Sequence, residues 1–170
     1  FFFSIKMKSD TLQGFDHQAE VLIIDDDIAT IHLLKAILQK IDFSVRPATS
    51  PRVALEILEN SLPDLILLDI NMEDMDGYQL CELLKNDSLT RDIPIIFISS
   101  LEEPKDKVRA FKVGGVDFIV KPFHKDEVLS RVKTHVNLSL MQKRLEQQVE
   151  KRTFSLQQRS AELEETVAAL

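Results

Sequence analysis

Short unbroken apolar runs alternate along this chain with segments in which apolar residues recur every three or four positions. The strong runs are Val21-Leu22-Ile23-Ile24, Leu65-Ile66-Leu67-Leu68, Ile95-Ile96-Phe97-Ile98 and Phe118-Ile119-Val120, with a weaker one from Phe43 to Arg46. Continuous runs of this length fit strands buried on both faces, as in a parallel sheet layered between helices. Between them, Ile28, Ile31, Leu34, Ile37 and Leu38 form one helical stripe. Val53, Ile57 and Leu58 form the second, with Ser50 placed as N-cap and Pro51 at the first helical position. Leu80, Leu83 and Leu84 make the third, and Val108, Phe111 and Val113 the fourth, stopped by Gly114-Gly115. Five strand-helix alternations call for a doubly wound α/β sheet with right-handed crossovers.

After Phe123 a last helical pattern starts with Val128, Leu129, Val132 and Val136, and no glycine or proline interrupts it to the end. Val149, Leu156, Leu163 and Leu170 recur every seven residues, the coiled-coil period. The companion seam is half polar: Glu146, Thr153, Ser160 and Val167, or Leu145, Arg152, Arg159 and Thr166. A solvated helix extension and a parallel dimeric linker both fit. The expected organisation is therefore a disordered extension at 1–18, one α/β domain at 19–137 and a helical linker at 138–170.

Composition narrows the function classes. A net charge of -7, with no basic stripe, disfavours direct binding to nucleic acid. The apolar runs are strand-sized, far short of the roughly 20 residues of a membrane span, so a cytoplasmic setting without membrane is expected. Cys81, the single cysteine, falls among Leu80, Leu83 and Leu84 and reads as core. His17, His32, His124 and His135 are scattered, and none has a neighbourhood suited to phosphotransfer.

In doubly wound sheets, sites form at the carboxyl ends of strands. The residues there are Asp25-Asp26 after the first strong strand, Asp69 after the third strand, Ser99 after the fourth and Lys121 after the fifth. Each has an ordinary explanation taken alone: the run Asp25-Asp26-Asp27 suits a helix cap, Asp69 opens a turn-rich loop, Ser99 suits a strand-end amide and Lys121 a solvated surface. Their convergence on one sheet edge has none. Three neighbouring carboxylates repel unless a cation lies between them, and hard oxygen donors suit Mg²⁺, which also binds phosphate oxygens. An aspartate beside Mg²⁺, a lysine and a hydroxyl can accept a phosphoryl group.

With those residues in place, the sequence resembles the receiver domain of response regulators, of the CheY-like superfamily, over about 120 residues. The likeness rests on Val-Leu-Ile-Ile-Asp-Asp-Asp at 21 to 27, Pro-Asp-Leu-Ile-Leu-Leu-Asp at 63 to 69, Met72, Asp76-Gly77, Ile98-Ser99-Ser100 and Lys121-Pro122-Phe123. It implies a flavodoxin-like five-stranded parallel sheet of order 2-1-3-4-5 with a long C-terminal helix. It also implies that Asp25 and Asp26 organise Mg²⁺, Asp25 through water, that Asp69 is ligand and phosphoacceptor, and that the Asn71 main-chain carbonyl completes the protein ligands. A cis peptide between Lys121 and Pro122 is a further implication. So are a phosphohistidine donor on a histidine kinase or phosphotransfer protein, and a switch made of Ser99 and Phe118. Phe118 replaces the commoner tyrosine, so a switch by this ring acts through packing. Glu73 stands where a proline often follows the methionine, loosening the loop and adding charge; Ser100 keeps the next side chain small.

The tail, with Glu-Lys-Arg-Thr at 150 to 153, is similar in style to receivers fused ahead of histidine kinase or nucleotide cyclase modules, notably cyanobacterial ones. It suggests a homodimer through the last helix, and leaves any enzymatic output to a module beyond Leu170. The competing class is a Mg²⁺-dependent haloacid-dehalogenase-like phosphatase using Asp25. It leaves Asp69 without a role and finds Ala29 where its motif wants threonine or valine. A receiver-like docking module without phosphorylation is a third reading, against which the intact acidic set argues.

Overall fold

The computed structural model describes residues 18–100 and 104–169. The first seventeen residues of the expected extension, His17 among them, and Leu170 lie outside the described residues. Gln18 is placed, its side-chain amide donating to the main-chain and side-chain oxygens of Asp42.

Strands β1 (Glu20–Ile24), β2 (Ser44–Ala48), β3 (Leu65–Asp69), β4 (Ile95–Ser99) and β5 (Asp117–Val120) form one parallel sheet of order β2-β1-β3-β4-β5. Helices α1 (Ile28–Leu38), α2 (Pro51–Asn60), α3 (Gly77–Asn86), α4 (Pro104–Lys112) and α5 (Lys125–Ala168) follow the strands in turn. Every residue of β3 and β4 is buried, because helices cover both faces of the sheet centre. Period-two alternation sends Leu22, Ile24, Ile66, Leu68 and Phe97 to one face with α2, α3 and α4. Val21, Ile23, Leu65, Leu67 and Ile98 go to the other, with α1 and the start of α5.

Several local expectations need correction. The second strand starts at Ser44 and runs to Ala48, with Phe43 buried just ahead of it. An edge strand has one ladder only, so its pattern is diluted by Arg46 and Pro47, which the core does not exclude. Ile28 and Leu83 face solvent, and so do Val108 and Phe111; α4 buries Ala110 instead. The nine-residue helix, ended by the turn at Gly114-Gly115, sets the small Ala110 into the core cluster. Ser50 and Pro51 cap α2 as expected, and Cys81 is wholly buried, its thiol pushed up to about 11 by burial.

The last helix runs unbroken for 44 residues. Val128, Val132 and Val136 pack under the sheet, Leu140 reaches the same cluster, and Lys143 lies 3.6 Å from Asp64 just before β3. Packing thus continues a turn past Asn137. No helix among the described residues is long and apolar enough to cross a membrane.

Candidate functional site

The strand order brings the C-terminal ends of β1, β3, β4 and β5 side by side. Asp69 ends β3 in register with Ile98, so Ser99, the last residue of β4, lies one step beyond it. Both are buried, as is Asp25 just past β1. The three aspartates at 25 to 27 divide their tasks. Asp27 caps α1, accepting from the amides of Ala29 and Thr30 and from the Thr30 hydroxyl, which holds its carboxyl below the usual range. Asp26 is exposed. Asp25 turns inward, where its Oδ1 accepts from the Asp27 amide at 2.8 Å.

Lys121, one residue past β5, donates to Asp25 Oδ2 and Asp69 Oδ1, both at 2.8 Å. Burial works against its charge, but these bonds and charges prevail and hold its pKa above that of an ordinary lysine. The sequence pointed Lys121 at an incoming phosphoryl oxygen; at rest it is committed to two carboxylates, which residue types alone did not reveal. Asp69 is pushed above the usual carboxylate range by burial and by the charges of Asp25 and Asp26, with Lys121 opposing. Among the described residues no side chain or amide donates to its Oδ2, whereas both oxygens of Asp25 are engaged.

Carboxylate oxygens from Asp25, Asp26 and Asp69 lie within 4.8 Å of one another. Three carboxylates against one ammonium leave two negative charges, and the donors are hard oxygens with Asp26 open to water. That set fits a small divalent cation such as Mg²⁺. Asn71 is exposed in the loop after β3. Beside it a groove of about 320 Å³ is lined by Asp26, Thr49, Ser50, Met72, Glu73 and Asp74, among others. Glu73 therefore shares a groove with Asp26.

Phe118 lies on β5 opposite Phe97, already buried, with Lys107 Nζ 5.9 Å from its ring centre. The Lys121-Pro122 peptide is cis. Gly77, legible in sequence only as a turn residue, has a sharper role. A Cβ there would stand 2.3 Å from the Asp69 carbonyl oxygen, so α3 starts directly against the backbone of Asp69. Its amide donates to the Ile70 carbonyl at 2.8 Å, and Asp76 and Gln79 close a reciprocal capping box around it.

Comparison with known proteins agrees with this geometry. The family model described as the response regulator receiver domain matches residues 21–133. The chain is 35% identical over 123 residues to the response regulator PleD of Caulobacter vibrioides, covering 72% of this chain and 27% of PleD. It is 34% identical over 158 residues to the heme response regulator HssR of Staphylococcus aureus, covering 85% of this chain and 69% of HssR. Among solved structures, the signal receiver domain of a signal transduction histidine kinase from Syntrophus aciditrophicus superposes with a TM-score of 0.65 at 36% identity, over 69% of this chain and 89% of that one. The chain thus spans about a quarter of PleD.

Proposed function

Because this chain belongs to the response regulator receiver domain family, we propose that Asp69 takes a phosphoryl group from a phosphohistidine of a histidine kinase or phosphotransfer protein. The observation that carries this reading is the unequal state of the two buried aspartates: Asp69 Oδ2 has no protein donor among the described residues, while Asp25 uses both oxygens. Oδ2 attacks phosphorus, the phosphorus-nitrogen bond breaks as the phosphorus-oxygen bond forms, and the imidazole leaves with the electron pair and a proton from water. Asp25, Asp26, Asp69 and the Asn71 carbonyl would hold Mg²⁺, which supplies charge neutralisation for the transferring oxygens. Lys121, anchored between two carboxylates, needs only to exchange Asp69 Oδ1 for a phosphoryl oxygen. The Ser99 hydroxyl, one residue beyond the partner of Asp69, donates to another. Phe118, lacking a hydroxyl, responds through packing.

The output runs through α5. Beyond Lys143 its apolar side chains Leu145, Val149, Leu156 and Leu163 are exposed at heptad-like spacing, which supports a parallel pairing of two chains that carries the state of Asp69 to an output module. Kinase and cyclase outputs are both compatible with such a linker.

Labelling with a small acyl phosphate in Mg²⁺ tests the acceptor. Asp69→Asn is expected to abolish the label. Loss in Asp25→Asn with retention in Asp69→Asn would establish instead the haloacid-dehalogenase-like chemistry. Sedimentation with and without beryllofluoride tests the pairing; a monomer under both conditions at tens of micromolar contradicts it.

A further inference from the structure

Of the five α-helices, α4 buries the fewest side chains among the described residues. It buries Ala110 alone, and leaves Val108 and Phe111 in solvent. Its C-terminal end is pinned: the amides of Gly114 and Gly115 donate to Phe111 and Ala110, Gly114 takes φ +104, and a Cβ on Gly115 would stand 2.6 Å from the Phe97 ring. Toward the other end, where Lys107 Nζ lies 5.9 Å from the Phe118 ring centre, one side chain of α3 reaches the α4 backbone. Tyr78, almost wholly buried, sends its hydroxyl to the Asp106 carbonyl at 3.2 Å. The Arg109 guanidinium lies 4.1 Å from the centre of its ring, and the same ring packs at 46° against Phe97, centroids 5.5 Å apart.

We propose that Tyr78 is a latch: it holds the N-terminal half of α4 to α3 while Asp69 is unmodified, and loading of Asp69 releases it. The latch itself is independent of any chemistry at Asp69; the release rests on the reading of Asp69 as phosphoacceptor. Tyr78 cannot move freely, since the preceding Gly77 is pressed on the Asp69 carbonyl with no room for a single carbon. Asp106, in contrast, follows Ser99 by seven residues in the chain, in the first turn of the helix after β4. A phosphoryl group on Asp69 brings oxygens that need donors, and the Ser99 hydroxyl at the neighbouring strand end is drawn toward them. That pull acts on α4 and not on α3. At 3.2 Å the hydroxyl contact is already longer than the usual O–H···O distance, so a shift of about half an ångström removes it.

Tyr78 is the single tyrosine in a chain with no tryptophan, so its emission reports on this contact directly. In the full chain without ligand, Tyr78→Phe is expected to speed amide exchange in α4 about threefold and leave β3 unchanged. By reciprocity, if loading breaks the latch, a chain without it binds Mg²⁺-beryllofluoride about threefold more tightly. A merely structural tyrosine would give unchanged or weaker binding. In the wild type, beryllofluoride is expected to change the Tyr78 emission. Arg109→Gln, which spares the buried ring, is expected to move exchange and affinity in the same directions by a smaller factor. Unchanged α4 exchange in both variants overturns the latch. Unchanged or weaker beryllofluoride affinity in both, or constant Tyr78 emission as wild type binds, overturns its release. Faster exchange in Tyr78→Phe with no beryllofluoride binding by the wild type keeps the latch and overturns the release together with the Asp69 reading.

Discussion

The two parts of α5 share one backbone geometry and differ in what supports it. Val128, Val132 and Val136 are 0% exposed under the sheet, whereas Leu145, Val149, Leu156 and Leu163 are 61%, 63%, 65% and 66% exposed. The first part is helical because the domain core holds it. The second rests on local propensity and on the uninterrupted turn before it, and a solvated helix of that length is marginal by itself. A residue pattern that looks alike in both parts therefore carries different energetic meaning, and the meaning is set by what lies opposite.

The comparison is broken most strongly by placing a charge in the packed part. Val132→Asp buries a carboxylate with no partner and is expected to cost at least about 4 kcal/mol, enough to unfold the domain, read by chemical denaturation. Gly77→Ala asks the same question at the site: its new carbon would meet the Asp69 carbonyl at 2.3 Å, where backbone must yield. A loss of about 3 kcal/mol is expected, with slower labelling of Asp69 because its carboxyl is displaced.

At the seam between β5 and the packed part of α5, Asp117 accepts from Arg131 at 2.7 Å and pairs with His135 at 3.0 Å. Burial alone would raise its pKa, but the Arg131 bond, the Phe118 amide and His135 lower it below the ordinary value. A carboxyl with a lowered folded-state pKa contributes stability that is complete above its unfolded value, about 3.9, and is lost as pH falls through the lower folded one. Asp117→Asn is expected to cost about 1–2 kcal/mol at neutral pH, discounted because Arg131 is partly in water, and the gap from wild type closes only below about pH 4. Urea unfolding at a series of pH values checks the sign. Leu156→Asp, in the unsupported part, should change domain stability by less than about 0.5 kcal/mol while weakening self-association. A large loss of domain stability would mean the far helix packs on its own domain.

The same contrast explains what the sequence could disclose. Asp25, Asp69, Ser99 and Lys121 were legible because the buried strands β1, β3, β4 and β5 each announce themselves by unbroken apolar runs, which locate the strand ends. β2 was displaced by two residues at its far end because an edge strand tolerates Arg46 and Pro47. The α4 stripe was misread because Val108 and Phe111 satisfy helical spacing without being covered, and periodicity does not report what covers a face. The resting bonds of Lys121, the steric demand behind Gly77 and the reach of Tyr78 to Asp106 are all contacts between residues distant in sequence. They depend on how side chains and, at Gly77, the backbone are placed in space, which residue types do not specify.

Phosphoryl acceptance by this chain turns on one oxygen of Asp69. Borohydride reduction of the acyl-phosphate-treated chain in Mg²⁺, followed by peptide mass mapping, tests it most directly, since reduction converts an aspartyl phosphate to homoserine at the modified position. Homoserine at 69, absent when Mg²⁺ is chelated, is the expected result. Homoserine at 25 or 26, or a chain that retains the phosphoryl label with residue 69 still aspartate, would contradict it.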